Sequence, residues 1–407
     1  MSIIDEQAFS LLLSLPPFPF GRIVRPLKAD LRQAKTIFLA DGTTPTFDFP
    51  RANAFDVTSY RIALDRVRGD IAKLEMPEAA HVLYAQKLTE LATRCNLIKA
   101  IQRKDDAAVS AHSLELYGQP TQQANELTNE FQDVLARASS KYQHREPVNA
   151  ERFAEMVERT IAHYGFQEWH ISFTSSARIR IGRSTSEQRT PIILHIPKSL
   201  SVSRSRAARL LTHEIEVHAL RTENGARSKF RLLSRGLANY VRTDEGLAVY
   251  YQQKLRTPEV IHAGFWDAWA TALTVEHGIA DVFRILREAQ LALGKAIDDA
   301  NPETRATDVA WRLCSRVYRG IHDPSKPGVG FMRDHIYRSG LSEVRRFIEA
   351  TGTSALPLLF AGHAGIEHLD HLRELGITEG RTPDMVGKRI VNEVMREHKK
   401  RARPSPS

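Results

Sequence analysis

The stretch His213-Glu214-Ile215-Glu216-Val217-His218 decides how this chain is read. Two imidazoles and an adjacent carboxylate on one helix are the working parts of a zinc hydrolase. The usual HExxH spacing sets the histidines about 40° apart around the helix axis. Here they are five positions apart, about 140° on an ideal helix, and rings that diverge so far do not easily share one ion. One extra residue absorbed as a π-type turn brings them back together, and such turns favour functional sites. Chance alone produces the pattern in roughly one chain in twenty or thirty of this length. The stretch is therefore either a coincidence or a zinc helix with a local i→i+5 turn.

The neighbouring sequence supports the second reading. A catalytic zinc needs a third protein ligand and an open position, and a carboxylate on a following helix is a common source. Thr243-Asp244-Glu245-Gly246-Leu247-Ala248 opens such a helix, with Glu245 27 positions beyond His218. Thr243 is expected as its cap, with Glu245 facing inward from the first turn. The apolar run at 191–196, just before the His213 helix, is expected to be an edge strand on which an extended substrate could lie.

Further out, the chain reads as helical. Tyr60, Leu64, Val67, Ile71 and Leu74 keep the spacing of one helix face, and Tyr84, Leu88, Leu91, Cys95 and Ile98 that of the next. Helices are also expected over 122–138 and, through Phe153, Met156, Ile161 and Tyr164, before Gly165. The pattern then shifts to period two at Trp169–Thr174, 178–182 and 191–196. The His213 helix starts near 203, with Ser201 or Ser203 as N-cap and Gly225 as its stop. Beyond it the chain is almost wholly helical, with loops around Pro258, Pro302 and 323–330. The expected fold is α+β and mainly helical, a zincin-like small sheet packed on a long zinc-binding helix within a helical shell. Three regions are expected: a helical part over 1–145 packing on the catalytic part, a catalytic domain over 146–377, and a C-terminal helix with a basic tail over 378–407.

The 407 residues, 42% hydrophobic and 26% charged, suit a soluble globular protein. No apolar run reaches membrane-spanning length, and Asp5 and Glu6 stand where a signal peptide carries Lys or Arg. A cytoplasmic protein that avoids membranes is expected. The two cysteines, Cys95 and Cys314, form no pair or metal motif, and Cys95 falls in a core stripe. The net charge of +9 suits an acidic peptide or protein partner; with no nucleic-acid motif beside it, charge alone argues little for RNA or DNA. Part of the excess lies in Glu397-His398-Lys399-Lys400-Arg401-Ala402-Arg403, read as a frayed tail.

His213 to His218, Leu220-Arg221, Asn224-Gly225 and Glu245-Gly246-Leu247-Ala248 together resemble the family named for its QEGLA motif. Its bacterial members are often labelled flavohaemoglobin expression-modulating proteins, and its animal members include the microtubule-associated tyrosine carboxypeptidases, which remove the last residue of tubulin tails. Pro45-Thr46-Phe47-Asp48-Phe49 and Ser113-Leu114-Glu115-Leu116-Tyr117-Gly118 resemble its N-terminal signatures. Arg319-Gly320 and Phe331-Met332-Arg333-Asp334, on through Tyr337 to Gly340, resemble its C-terminal ones. The resemblance implies one Zn2+ per chain on His213, His218 and Glu245, with Glu214 as catalytic base. Asp244 stands where the motif has Gln, while Arg333 and His363 stand where Lys is expected; these departures bear on substrate choice rather than on hydrolysis.

The chemistry implied is carboxypeptidase action by a zinc-activated water, with Glu214 moving the proton. A carboxypeptidase also needs a cation for the terminal carboxylate, and Arg221, Arg319 and Arg333 are the candidates. Tyr337 is a candidate donor to the developing oxyanion. His368 and His371 read as a solvated helix face, and His163, His170 and His195 as structural. The rivals are a zinc endopeptidase and a non-catalytic regulatory or binding protein that retains the metal site; an intact Glu214 argues against the latter.

Overall fold

A computed structural model of the chain describes residues 3–138, 147–175, 179–183, 192–257 and 261–401. The architecture is α+β and mainly helical. Helix Val57–Ile71, capped by the Asp56 side chain, buries Tyr60, Leu64, Val67 and Ile71. Helix Glu78–Gln102 buries the stripe through Cys95. Helices Ala124–Arg137 and Ala150–Tyr164 follow, the second capped by Asn149 and closed by Gly165. The loop expected around Pro258 lies outside the described residues.

Five short strands make two sheets: β1 (Val148–Asn149), β2 (Trp169–Thr174), β3 (Arg180–Arg183), β4 (Ile192–Pro197) and β5 (Ser201–Val202). β1 pairs antiparallel with β5. The larger sheet has the order β2-β4-β3, with β4 parallel to β2 and antiparallel to β3. The expected edge strand at 191–196 is therefore corrected: β4 is central, and both its hydrogen-bonding sides are occupied. Its nearly unbroken apolar run, with Leu194 and Ile196 fully buried, suits an interior strand.

The strands lead into one continuous helical run over 204–227. Ser203, rather than Ser201, is the cap, accepting from the Arg206 N–H. The run is α-helical over Arg204–Leu211, π-helical over Thr212–Ala219 and α-helical again over Leu220–Arg227. Gly225 does not stop it. Its place is one of close approach, since a Cβ there would meet the Leu233 carbonyl oxygen at 2.6 Å. Helix Val241–Lys254 begins before Thr243, so Thr243 is not its cap; the Thr243 hydroxyl instead accepts from Ile366 N. This helix packs on Ile336–Thr351, and their backbones meet so closely that a Cβ on Gly246 would lie 2.3 Å from the Gly340 carbonyl.

The core falls into two clusters. One gathers Leu211, Ile215 and Val217 of the His213 helix with Leu194, Ile196, Phe153, Leu88 and Val394. The other gathers Phe49, Ile98, Leu127, Trp269, Phe283, Trp311 and Phe331. Helix Gly387–Arg401 buries Ile390, Val391, Val394 and Met395. Glu397 pairs with Arg159 and His398 with Glu155, so the segment read as a frayed tail is anchored at its start; residues from 402 onward lie outside the described part. Among the described residues, no helix is long and apolar enough to cross a membrane.

Candidate active site

The π-helical segment does what the five-position spacing demands. It brings the His213 and His218 rings to the same side, with centroids 4.7 Å apart and planes at 79°. Glu245 reaches them from the first turns of Val241–Lys254. Its Oε2 lies 3.2 Å from His213 Nε2 and 3.5 Å from His218 Nε2. The three residues each offer a ligand atom, and these atoms lie within 4.8 Å of one another.

The donor set fits a zinc ion. A tetrahedral centre with bonds of about 2.0–2.1 Å sets its ligand atoms roughly 3.3 Å apart, close to the two separations seen. Glu245 Oε2 is also a buried oxygen with no aligned hydrogen-bond partner among the described residues, an arrangement that a cation would relieve. Burial opposes the charge on Glu245, yet the two imidazoles beside it, His213 and His218, outweigh it and hold the carboxyl down at about 2.

Glu214 stands beside this group, half-buried, with no hydrogen-bond or ion-pair partner among the described residues. Burial pushes its carboxyl above the ordinary range; His213 and His218 oppose this, and Glu245 and Asp244 add to it. Glu216, two positions on, is fully buried. It accepts from Tyr164 OH at 2.9 Å, Thr212 Oγ1 at 2.7 Å and the N–H groups of Val386 and Gly387 at 2.7 and 3.3 Å. Nothing local in the sequence singles out Glu216, because three of its four partners lie on distant segments.

The three arginines separate clearly. Arg221 is fully buried, and its guanidinium is committed to Asp244 and to the carbonyls of Leu359 and Ala364. This corrects its reading as a substrate cation: its donors already have internal acceptors. Arg319 is buried against Phe331, 3.4 Å from Asp334, which Arg316 also holds. Burial lowers the Arg319 guanidinium to about 10, against the pull of Asp334. Arg333 is half-buried and has no hydrogen-bond or ion-pair partner among the described residues. Burial disfavours its charge, but Tyr117, Asp334, Tyr337 and Glu245 together raise its pKa. Tyr337 is half-buried too, and Glu245 is the largest cause of the upward shift of its hydroxyl, followed by burial. Arg333 and Tyr337 therefore both sense Glu245.

The other histidines singled out from the sequence have varied settings. His368 is buried, not solvated: its Nδ1 accepts from Gly365 N at 2.8 Å. His371 is partly exposed near Glu374. His163 contacts Asp384 at 2.9 Å, His170 is exposed on β2, and His195 is half-buried on β4.

Fold and site thus define a mainly helical α+β protein that gathers two histidines and a glutamate at a π turn, with a free carboxylate alongside. A sequence model of the family described as microtubule-associated tyrosine carboxypeptidase matches residues 38–254 and 299–383, and the chain belongs to that family. The matched stretches carry His213, Glu214, His218, Glu245, Arg333 and Tyr337, while helices Phe265–Leu273, Ile279–Ala296 and Gly387–Arg401 fall outside them. No curated protein matches the chain at a significant level.

Proposed function

We propose that this protein is a zinc-dependent carboxypeptidase that removes the last residue of a peptide or protein. The observation that carries the reading is the convergence of His213 Nε2 and His218 Nε2 on Glu245 Oε2, with Glu214 beside them and without a partner among the described residues. A zinc ion held by the three residues supplies Lewis acidity toward the scissile carbonyl and eases deprotonation of water. Glu214 accepts a proton from the attacking water and passes it to the departing amine. Tyr337 donates to the oxygen on which negative charge develops. Arg333, the one candidate arginine without an internal partner among the described residues, pairs with the terminal carboxylate.

The family description points to a C-terminal tyrosine as the residue removed and to a microtubule protein as its bearer; for this chain, an aromatic last residue after an acidic stretch is the first substrate to offer. The net charge of +9 supports an acidic partner. We place the catalytic unit in 146–377 and the enzyme in the cytoplasm. The test is a matched pair of peptides, free acid and amide, incubated with the zinc-loaded protein and read by mass spectrometry. Loss of one terminal residue from the acid alone is expected. Equal internal cleavage of both would make the protein an endopeptidase, and no cleavage across a peptide library would favour a regulatory protein.

A further inference from the structure

A second carboxylate stands behind His218. Asp244 is buried, with Oδ2 2.8 Å from His218 Nδ1. Its other oxygen, Oδ1, meets Arg221 Nη1 and lies 3.7 Å from His363 Nδ1. The surroundings hold it in place. Arg221, fully buried, is fixed by Asp244 and by two carbonyls from 359 and 364. His363 is tied through Nε2 to Thr222 Oγ1 at 2.9 Å and packs on Tyr240. His213 Nδ1 has no acidic neighbour among the described residues, its one ion-pair contact being through Nε2.

We infer that Asp244 is a positioning residue for His218, keeping the proton on Nδ1 so that Nε2 faces Glu245 and the metal, with Arg221 holding Asp244. The inference rests on the zinc reading above only for its consequence, metal affinity. Its geometry rests on the carboxylate itself. An acceptor-only carboxylate 2.8 Å from Nδ1 favours a proton there, whether the ring is neutral or charged, and leaves Nε2 as the nitrogen a metal would take. The contact is a close ion-pair approach and not an aligned hydrogen bond in this conformation. Outer carboxylates of this kind fix ligand tautomer and orientation, and their loss typically costs 10–100-fold in metal affinity.

Asp244→Asn is the discriminating variant. The amide keeps one oxygen, and Arg221, which only donates, takes it. The NH2 group then faces His218 Nδ1, donor against donor, so the ring must surrender that proton. The experiment uses the full-length protein with 15N-labelled histidine, metal-free and zinc-loaded, alongside zinc titration against a competing chelator. In the wild type an Nδ1–H resonance of His218 is expected in both forms. In metal-free Asp244→Asn that resonance is expected to vanish, the ring proton moving to Nε2, and zinc affinity is expected to fall 10–100-fold. A His218→Ala control assigns the signal, and a cooperative melting curve confirms that the variant is folded. A wild-type His218 protonated at Nε2 with bare Nδ1, or an unchanged tautomer in a folded Asp244→Asn protein, would overturn the inference. If the wild type takes up no zinc, the proposed function fails, and the resonance still decides the role of Asp244.

Discussion

Glu214 and Glu216 leave the same turn of helix toward opposite environments: Glu214 stands by the His213–His218–Glu245 group without a partner among the described residues, and Glu216 is buried and accepts four hydrogen bonds. One carboxylate keeps its acceptors uncommitted among the described residues. The other ties the π-helical segment to Tyr164 and to the start of the C-terminal helix, beyond the family match that ends at 383.

Glu216→Gln should therefore lower stability without touching the chemistry directly. Tyr164 OH and Thr212 Oγ1 can reorient, but the N–H groups of Val386 and Gly387 would compete for the single amide oxygen. Leaving one buried donor unsatisfied costs about 1–3 kcal/mol. Thermal melting should show that loss, while zinc bound per folded molecule stays at the wild-type value.

Glu214→Gln should do the reverse. The amide is nearly isosteric and cannot accept the water's proton, so turnover should fall by about 10²–10⁴-fold. Zinc content and melting temperature should stay near wild type. A variant with wild-type turnover would remove Glu214 from the mechanism.

Alanine at His213, His218 or Glu245 should each release the metal. Three protein ligands are the usual complement of a catalytic zinc, and the purified wild type is expected to carry about one zinc per chain by elemental analysis. Full occupancy in Glu245→Ala would put the third ligand elsewhere.

The π turn was legible in the sequence because it depends only on the five-position spacing of His213 and His218, a local quantity. The helix stripes and the period-two strands were legible for the same reason. Strand order was not, since nothing within 191–196 says what pairs on either side of β4. Arg221 misled because a guanidinium matches an internal carboxylate as well as a substrate's, and Asp244 lies on another helix. His368 reads as surface by its acidic neighbours, yet its acceptor bond to Gly365 takes it inside. Gly225 has the composition of a helix stop, but the close approach of Leu233 is long-range.

Arg333→Leu should abolish the preference for a free C-terminus. Hydrogen bonds to charged groups are worth roughly 1.5–3 kcal/mol, so kcat/KM on the acid peptide should fall about 10–100-fold. Arg333→Lys should recover part of the loss through charge without the bidentate fork. The same loss in Arg319→Leu but not in Arg333→Leu would move the carboxylate site to Arg319.

Stability should also drop in mild acid. His335 and His368 are both buried, and burial is the largest cause holding each imidazole down at about 4. Their bonding agrees: His335 Nε2 donates to the Gly118 carbonyl while its Nδ1 has no partner among the described residues, and His368 Nδ1 is an acceptor that a proton would destroy. In the unfolded chain both titrate near 6.5. Between that value and 4 the unfolded state binds more protons than the folded state, so stability rises with pH across this window. The contribution is complete above about 6.5 and is lost as pH falls to about 4, on the order of a few kcal/mol for each histidine. Urea denaturation at a series of pH values should show the slope. His368→Asn keeps an acceptor oxygen for Gly365 N and removes one titrating group, so it should flatten the curve between pH 6.5 and 4 while changing stability little at pH 8. An unaltered slope in that variant would show that the acid sensitivity comes from other groups.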